Sequence, residues 1–282
     1  MRILLCSVAT IALSGCSWMG LGHGNHHGRN AAYMGKQNSY SQSNDDCCVG
    51  GKTLSRWNIE GGLGTSLPAG GDVLTGAQAH PQFNNVRTLK NLSYNDAFDK
   101  GIRAELGGSY ALNPNRKVTG QIYQEKANGK DIVIGSQNGN ALRGSISDYK
   151  EYGVEVGLRQ YFQPKALPLL KTVRPYVEGK LGAAHVDDIR VDNIREIGGA
   201  ATPISVNAYE SSWVPTAAGL VGVETLVFDR FTMGIETGLR FRGVQKSDNS
   251  TIGTPGGAQY GGFNNGGSKY SVPITIRGRY RF

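Results

Sequence analysis

The sequence lacks any apolar run near the ~20 residues that a membrane-crossing helix needs, and its mean hydropathy is −0.33. A helical membrane protein is therefore excluded. Charge is sparse: Asp, Glu, Lys and Arg make up 18% of the 282 residues, below the ~25% of ordinary soluble domains. The net charge of +8 comes from scattered lysines and arginines, most of them near an acid. No basic stripe or aromatic RNA-binding motif stands out, so no nucleic-acid partner is expected. Only four cysteines occur. Cys47 and Cys48 are neighbours, a placement that strains a disulfide, which leaves them free, paired between chains or weak metal ligands. Histidine is nearly as rare, with five residues. His23, His26 and His27 crowd into LGHGNHHGRN, but imidazoles on a glycine-rich segment define no coordination geometry. Neither a metal nor a cofactor is expected, and no catalytic residue is assigned.

Glycine, by contrast, is abundant at 41 residues, roughly twice the usual share. The chain opens with Met1-Arg2, an apolar stretch over residues 3–13 and then Leu13-Ser14-Gly15-Cys16. The stretch has signal-peptide length and is too short to span. Its end resembles a bacterial lipobox, which implies a signal over residues 1–15, acylation of Cys16 and export to an oxidising compartment. Residues 16–55 are rich in Gly, Asn, Ser and Gln without periodicity and read as a flexible periplasmic linker.

From Arg56 onward apolar and polar residues alternate with period two, the signature of strands with two unlike faces. Eight such segments recur: RWNIEGGLGT, GIRAELGGSYAL, KVTGQIYQE, YKEYGVEVGLRQYF, RPYVEGKLGAAHV, WVPTAAGLVGVETLV, RFTMGIETGLRFR and KYSVPITIRGRYRF. Short turns such as Asn113-Pro114-Asn115-Arg116 alternate with long, polar, glycine-rich connections at about 67–99, 126–148, 187–212 and 243–269. Pro175, Pro215 and Pro273 are expected near strand ends, where proline is tolerated. The pattern predicts an all-β, eight-stranded antiparallel up-and-down transmembrane barrel over residues 56–282.

The parity of the apolar residues sorts the aromatics into two belts of the kind found at membrane interfaces. Trp57, Tyr110, Phe162, Phe231, Tyr280 and Phe282 fall at one rim, and Tyr152, Trp213, Phe241 and Tyr270 at the other. The opposite parity carries Glu60, Glu105, Glu155, Glu178, Glu224 and Glu236 together with Arg103, Arg159, Lys180, Arg240, Arg277 and Arg279. Eight strands enclose an interior just wide enough for side chains, so these charges are expected to compensate one another as ion pairs. Gly107, Gly157, Gly182 and Gly238 are expected to relieve crowding there.

Residues 56–282 resemble the eight-stranded barrels of the outer membrane protein A-like superfamily in strand count, loop alternation, RPYVEGKLG and the terminal YRF. The resemblance implies a bacterial outer-membrane location, contact with outer-membrane lipid and lipopolysaccharide, and recognition of Phe282 by the barrel-assembly machinery. No peptidoglycan-binding domain is expected after Phe282. The expected role is structural or adhesive, with an unidentified extracellular ligand held by four long loops. Alternatives are a narrow pore and a lipid A deacylase-like enzyme, for which His185 at an outer strand end is the candidate.

Overall fold

The computed structural model describes residues 55–76, 87–162, 173–199, 203–251 and 260–282, together with a short strand pair, β1 (Cys48–Val49) and β2 (Lys52–Thr53). Cys16, His23, His26, His27 and Cys47 of the linker, and His80 of the first long connection, lie outside the described residues. The first long strand, β3 (Trp57–Gly70), leads into a segment carrying β4 (Asp72–Leu74), β5 (Arg87–Leu89), β6 (Leu92–Ser93) and one helical turn, α1 (Tyr94–Ala97). β7 (Gly101–Asn113) and β8 (Arg116–Ala127) form a hairpin through residues 114–115. A second segment holds β9 (Asp131–Gln137) and β10 (Asn140–Ile146), followed by β11 (Tyr149–Tyr161) and β12 (Val173–Val186). A third holds β13 (Ile189–Glu196) and β14 (Ile204–Tyr209). β15 (Ser212–Phe228) and β16 (Phe231–Arg242) turn at residues 229–230, and a fourth segment precedes β17 (Lys269–Arg281).

The eight long strands close a barrel in the order β3-β7-β8-β11-β12-β15-β16-β17. Every pairing in it is antiparallel, and β17 seals against β3 from Tyr270↔Gly70 to Arg281↔Asn58. Alternation is strictest in β8, where each second residue is buried, although its sequence pattern is the faintest of the eight. Pro273 lies inside β17 rather than near its end, opposite Ser66 of β3. Proline has no N–H to donate. On its other side the β16–β17 ladder runs from Thr237↔Ile274 to Arg240↔Ser271 with nothing paired between, and then resumes in register. Pro175 and Pro215 stand near the starts of β12 and β15, as expected, with Pro215 paired to Ala183. Gly107 and Gly182 sit where a Cβ would meet Gly120 O at 2.1 Å and Val154 O at 2.0 Å, so neighbouring strands approach closely on the lumen side.

The long connections hold strands of their own. β14, β13, β10, β9 and β5 make one five-stranded sheet, contributed by three different connections, and β4 pairs with β6. Beneath the sheet lies an apolar core that includes Val73, Leu92, Tyr94, Phe98, Ile134, Leu142, Ile146, Val191, Val206, Tyr209, Tyr260 and Phe263. It continues onto the barrel through Tyr123, Ala127, Tyr149, Ala184, Val186 and Val214. The connections thus fold as a cap over one mouth of the barrel, called here the loop end. The β9–β10 hairpin turns at Asn138-Gly139, whose φ values of 50° and 86° fit the two-residue turn that Asn-Gly favours.

Candidate functional site

The two faces of the barrel differ residue by residue. In β7, Ile102 is 66% exposed while the next residue, Arg103, is 1% exposed. Inward parity buries eight glutamates (60, 105, 125, 151, 155, 178, 224 and 236) and nine cations (Arg103, Lys117, Arg159, Lys180, Arg240, Arg242, Lys269, Arg277 and Arg279). Buried charge is costly unless it is paired and hydrogen-bonded, and most of this charge is.

Arg159 Nη2 lies 2.9 Å from Glu60 Oε2 and 2.8 Å from Glu178 Oε2. Ser109 donates to Glu60 at 2.6 Å and Thr119 to Glu178 at 2.6 Å. In the middle of the lumen, Arg277 reaches Glu105 at 2.5 Å and Glu236 at 2.9 Å. Arg240 bridges Glu105 at 3.0 Å and Glu155 at 2.6 Å, while Arg103 lies 2.7 Å from Glu105 and 3.4 Å from Glu155. Lys180 sits between Glu178 (3.7 Å) and Glu236 (3.9 Å) and donates to Gln121 at 2.9 Å. Arg279 pairs with Glu224. The structure therefore brings together all twelve charged residues that alternation assigns to the lumen.

Sequence reasoning leaves several partners out of this set. Glu125 holds Lys269 at 2.7 Å, and Glu151 accepts from Tyr123 at 2.8 Å and from Tyr149. Arg242 donates to Tyr94 of α1, tying the lumen to the cap. Tyr161 and Tyr176 also point inward, the latter donating to Glu236 at 3.0 Å. The signal was present for the charged ones, since Glu151 shares the parity of Glu155 and Arg159. The tyrosines share it too, Tyr161 with Arg159 and Tyr176 with Glu178, but a search for charge on that parity passes over them. A cavity of about 10 Å³ between Arg103, Glu125, Glu151, Arg240 and Arg242 has room for about one water.

The outward face carries Leu63, Leu106, Ile122, Val156, Leu181, Val221, Ile235 and Ile276, all exposed. Aromatic pairs bracket this band. At the turn end, Trp57 and Tyr110 lie 4.9 Å apart and Tyr280 and Phe282 5.5 Å apart, with Phe162 and Phe231 at the same end. At the loop end, Phe241 and Tyr270 lie 5.5 Å apart, and His185 stacks on Tyr152 at 4.9 Å beside Trp213 at 5.6 Å. A barrel in water buries its apolar face; this one exposes it and buries its charges. It is built to stand in lipid.

No family model matches the chain, and no curated protein does. Among solved structures, Neisserial surface protein A (NspA) aligns at 12% identity over 82% of this chain and 100% of its own, with a TM-score of 0.41. Ail, the attachment invasion locus protein of Yersinia pestis, aligns at 15% identity, 81% and 100% coverage and a TM-score of 0.37. The outer membrane protein OprG from Pseudomonas aeruginosa gives 14%, 81%, 97% and 0.38. All three are barrels, and the likeness extends no further than architecture.

His185 is the remaining residue of interest from the sequence. Its Nδ1 lies 3.8 Å from Asp187, and its ring is engaged by the two aromatic neighbours. The imidazole is thus a member of the loop-end aromatic row.

Proposed function

We propose that the protein is a non-conducting bacterial outer-membrane barrel that displays a rigid, loop-built binding platform at the cell surface. The observation that carries this reading is the cap, in which three connections weave one sheet over an apolar core. Loops meant only to join strands have no reason to bury Ile134, Leu142, Val191 and Val206 together. The ion-paired lumen supports a scaffold role rather than transport.

Lipid contact is proposed at the loop-end rim. Lys126 and Lys150 stand directly opposite each other on the outward parity of β8 and β11, beside Tyr152. Asp148 lies 3.2 Å from Lys126 and answers one of the two charges; like charges so placed repel, and the phosphates of lipopolysaccharide would answer the other. Acylation at Cys16 would add a second anchor. Globomycin should then cause unprocessed precursor to accumulate, and unchanged processing would refute the lipobox reading.

The platform itself is tested by surface labelling. In a Cys47→Ser, Cys48→Ser background, Arg143→Cys on the cap and Asn115→Cys in the β7–β8 turn are exposed to a membrane-impermeant maleimide on intact cells. Label on Arg143→Cys and none on Asn115→Cys is expected. The reverse pattern overturns the orientation, and equal labelling overturns the membrane-spanning reading.

A further inference from the structure

The turn end of the lumen holds more positive charge than its carboxylates balance. Lys117 lies at the start of β8, beside the 114–115 turn, and is only 8% exposed. Its ammonium stands 5.4 Å from the ring centroid of Tyr161. Arg174 of β12 lies 4.5 Å from the same ring, and Arg279 of β17 lies 5.7 Å from it. Cations from three strands therefore converge on one tyrosine of a fourth.

Tyr161 gives them little compensation, because its hydroxyl already accepts from Arg279 at 2.8 Å and donates to Glu224 at 3.2 Å. Arg279 pairs with Glu224, and its Nε, which makes no hydrogen bond, lies 3.8 Å from Glu60. Arg174 donates to Pro114 O at 2.9 Å. Among the described residues neither Lys117 nor Arg174 has a carboxylate within ion-pair distance. The nearest acids already serve other cations as well: Glu60 pairs with Arg159, Arg277 and Arg279, and Glu178 with Arg159 and Lys180. Deeper in the lumen Arg103, Arg159, Arg240 and Arg277 each face a glutamate. Here the same construction leaves an ammonium and a guanidinium facing one another.

An uncompensated buried cation is costly, and at a mouth an anion from outside offsets that cost. The groups present specify its kind. A guanidinium fork grips two oxygens of a tetrahedral or planar oxyanion, and an ammonium adds a point charge. We infer that the turn-end mouth of the barrel is a site for a phosphate-class oxyanion, held by Lys117, Arg174 and Arg279 beside Tyr161. The anion is either free phosphate or the headgroup of an acidic lipid lying against the rim.

The full chain in zwitterionic detergent is titrated calorimetrically with inorganic phosphate at constant ionic strength. Its urea midpoint is also compared in nanodiscs of phosphatidylglycerol and of phosphatidylcholine. Phosphate binding that Lys117→Met and Arg174→Gln each weaken about tenfold or more supports the site with free phosphate as occupant. A midpoint raised by phosphatidylglycerol alone, with the rise absent in both variants, supports it with a lipid headgroup as occupant. Arg174 is exposed at the rim, so its variant folds whether or not the Lys117 variant does. If the wild type responds to neither anion, or if both variants respond as it does, the inference is overturned.

Discussion

Arg159 has no exposed side-chain surface, and its guanidinium is shared by two glutamates from β3 and β12. Removing it alone strips Glu60 and Glu178 of their closest cation and leaves them only the longer contacts to Arg277, Arg279 and Lys180, whereas removing all three takes the two acids away with it. Arg159→Met is therefore expected to cost about 3–5 kcal/mol, the usual penalty for breaking a buried pair. The triple variant Glu60→Gln, Glu178→Gln, Arg159→Met is expected to recover most of that loss. Urea midpoints of the refolded barrel check both, and equal destabilisation would show that the ion pairs matter only for their volume. This network was legible in the sequence because a strand sends alternate residues to opposite faces, so parity alone groups Glu60 with Arg159. It does not tell which glutamate meets which arginine. That depends on stagger between strands, as in Arg277, whose partners stand on β7 and β16.

At the scale of elements, the cap is where reading the sequence falls short, and bulges are the reason. The register shifts between Leu142 and Arg143 in one pairing and between Arg143 and Ser145 in another, and again between Val191 and Ile194. The extra residues fall on β9 and β13, so these two never accumulate the period-two pattern that marks the barrel strands, and β10, which alternates, is only seven residues long. The Asn138-Gly139 turn between two apolar runs was the available signal.

Tyr209 shows how the cap is locked. Its hydroxyl donates to Val73 O at 2.8 Å and accepts from Gly266 N–H at 2.7 Å, joining three connections at one atom. Burial raises the hydroxyl's pKa above the ordinary tyrosine range, which keeps the donated proton in place at neutral pH. Tyr209→Phe leaves a buried carbonyl and a buried amide unpaired, a cost of about 1–3 kcal/mol for each group. The loss should fall on the cap alone. Hydrogen exchange is expected to speed up in β4, β14 and residues 260–267 while the barrel amides stay protected, and uniform acceleration would mean that cap and barrel unfold together. Gly266 admits no replacement, because a Cβ there would stand 2.2 Å from the Tyr209 hydroxyl.

At the scale of the molecule, a lumen filled by ion-paired side chains and a mouth covered by an apolar core predict electrical silence. Planar bilayers holding the purified protein should show no stable conductance, and removing residues 131–146 should not create one, since the ion-paired layers lie below the cap. Steady currents from either protein would require a looser interior than the one described. The seam between β17 and β3 has a further consequence, and it concerns time rather than stability. Tyr280 pairs with Ile59, so the contact that completes the barrel joins residues 221 positions apart. Contacts so distant in sequence are slow to form, and until this one exists both β3 and β17 present open edges to any neighbouring chain. Export must therefore deliver a chain kept unfolded for as long as its first strand waits for its last.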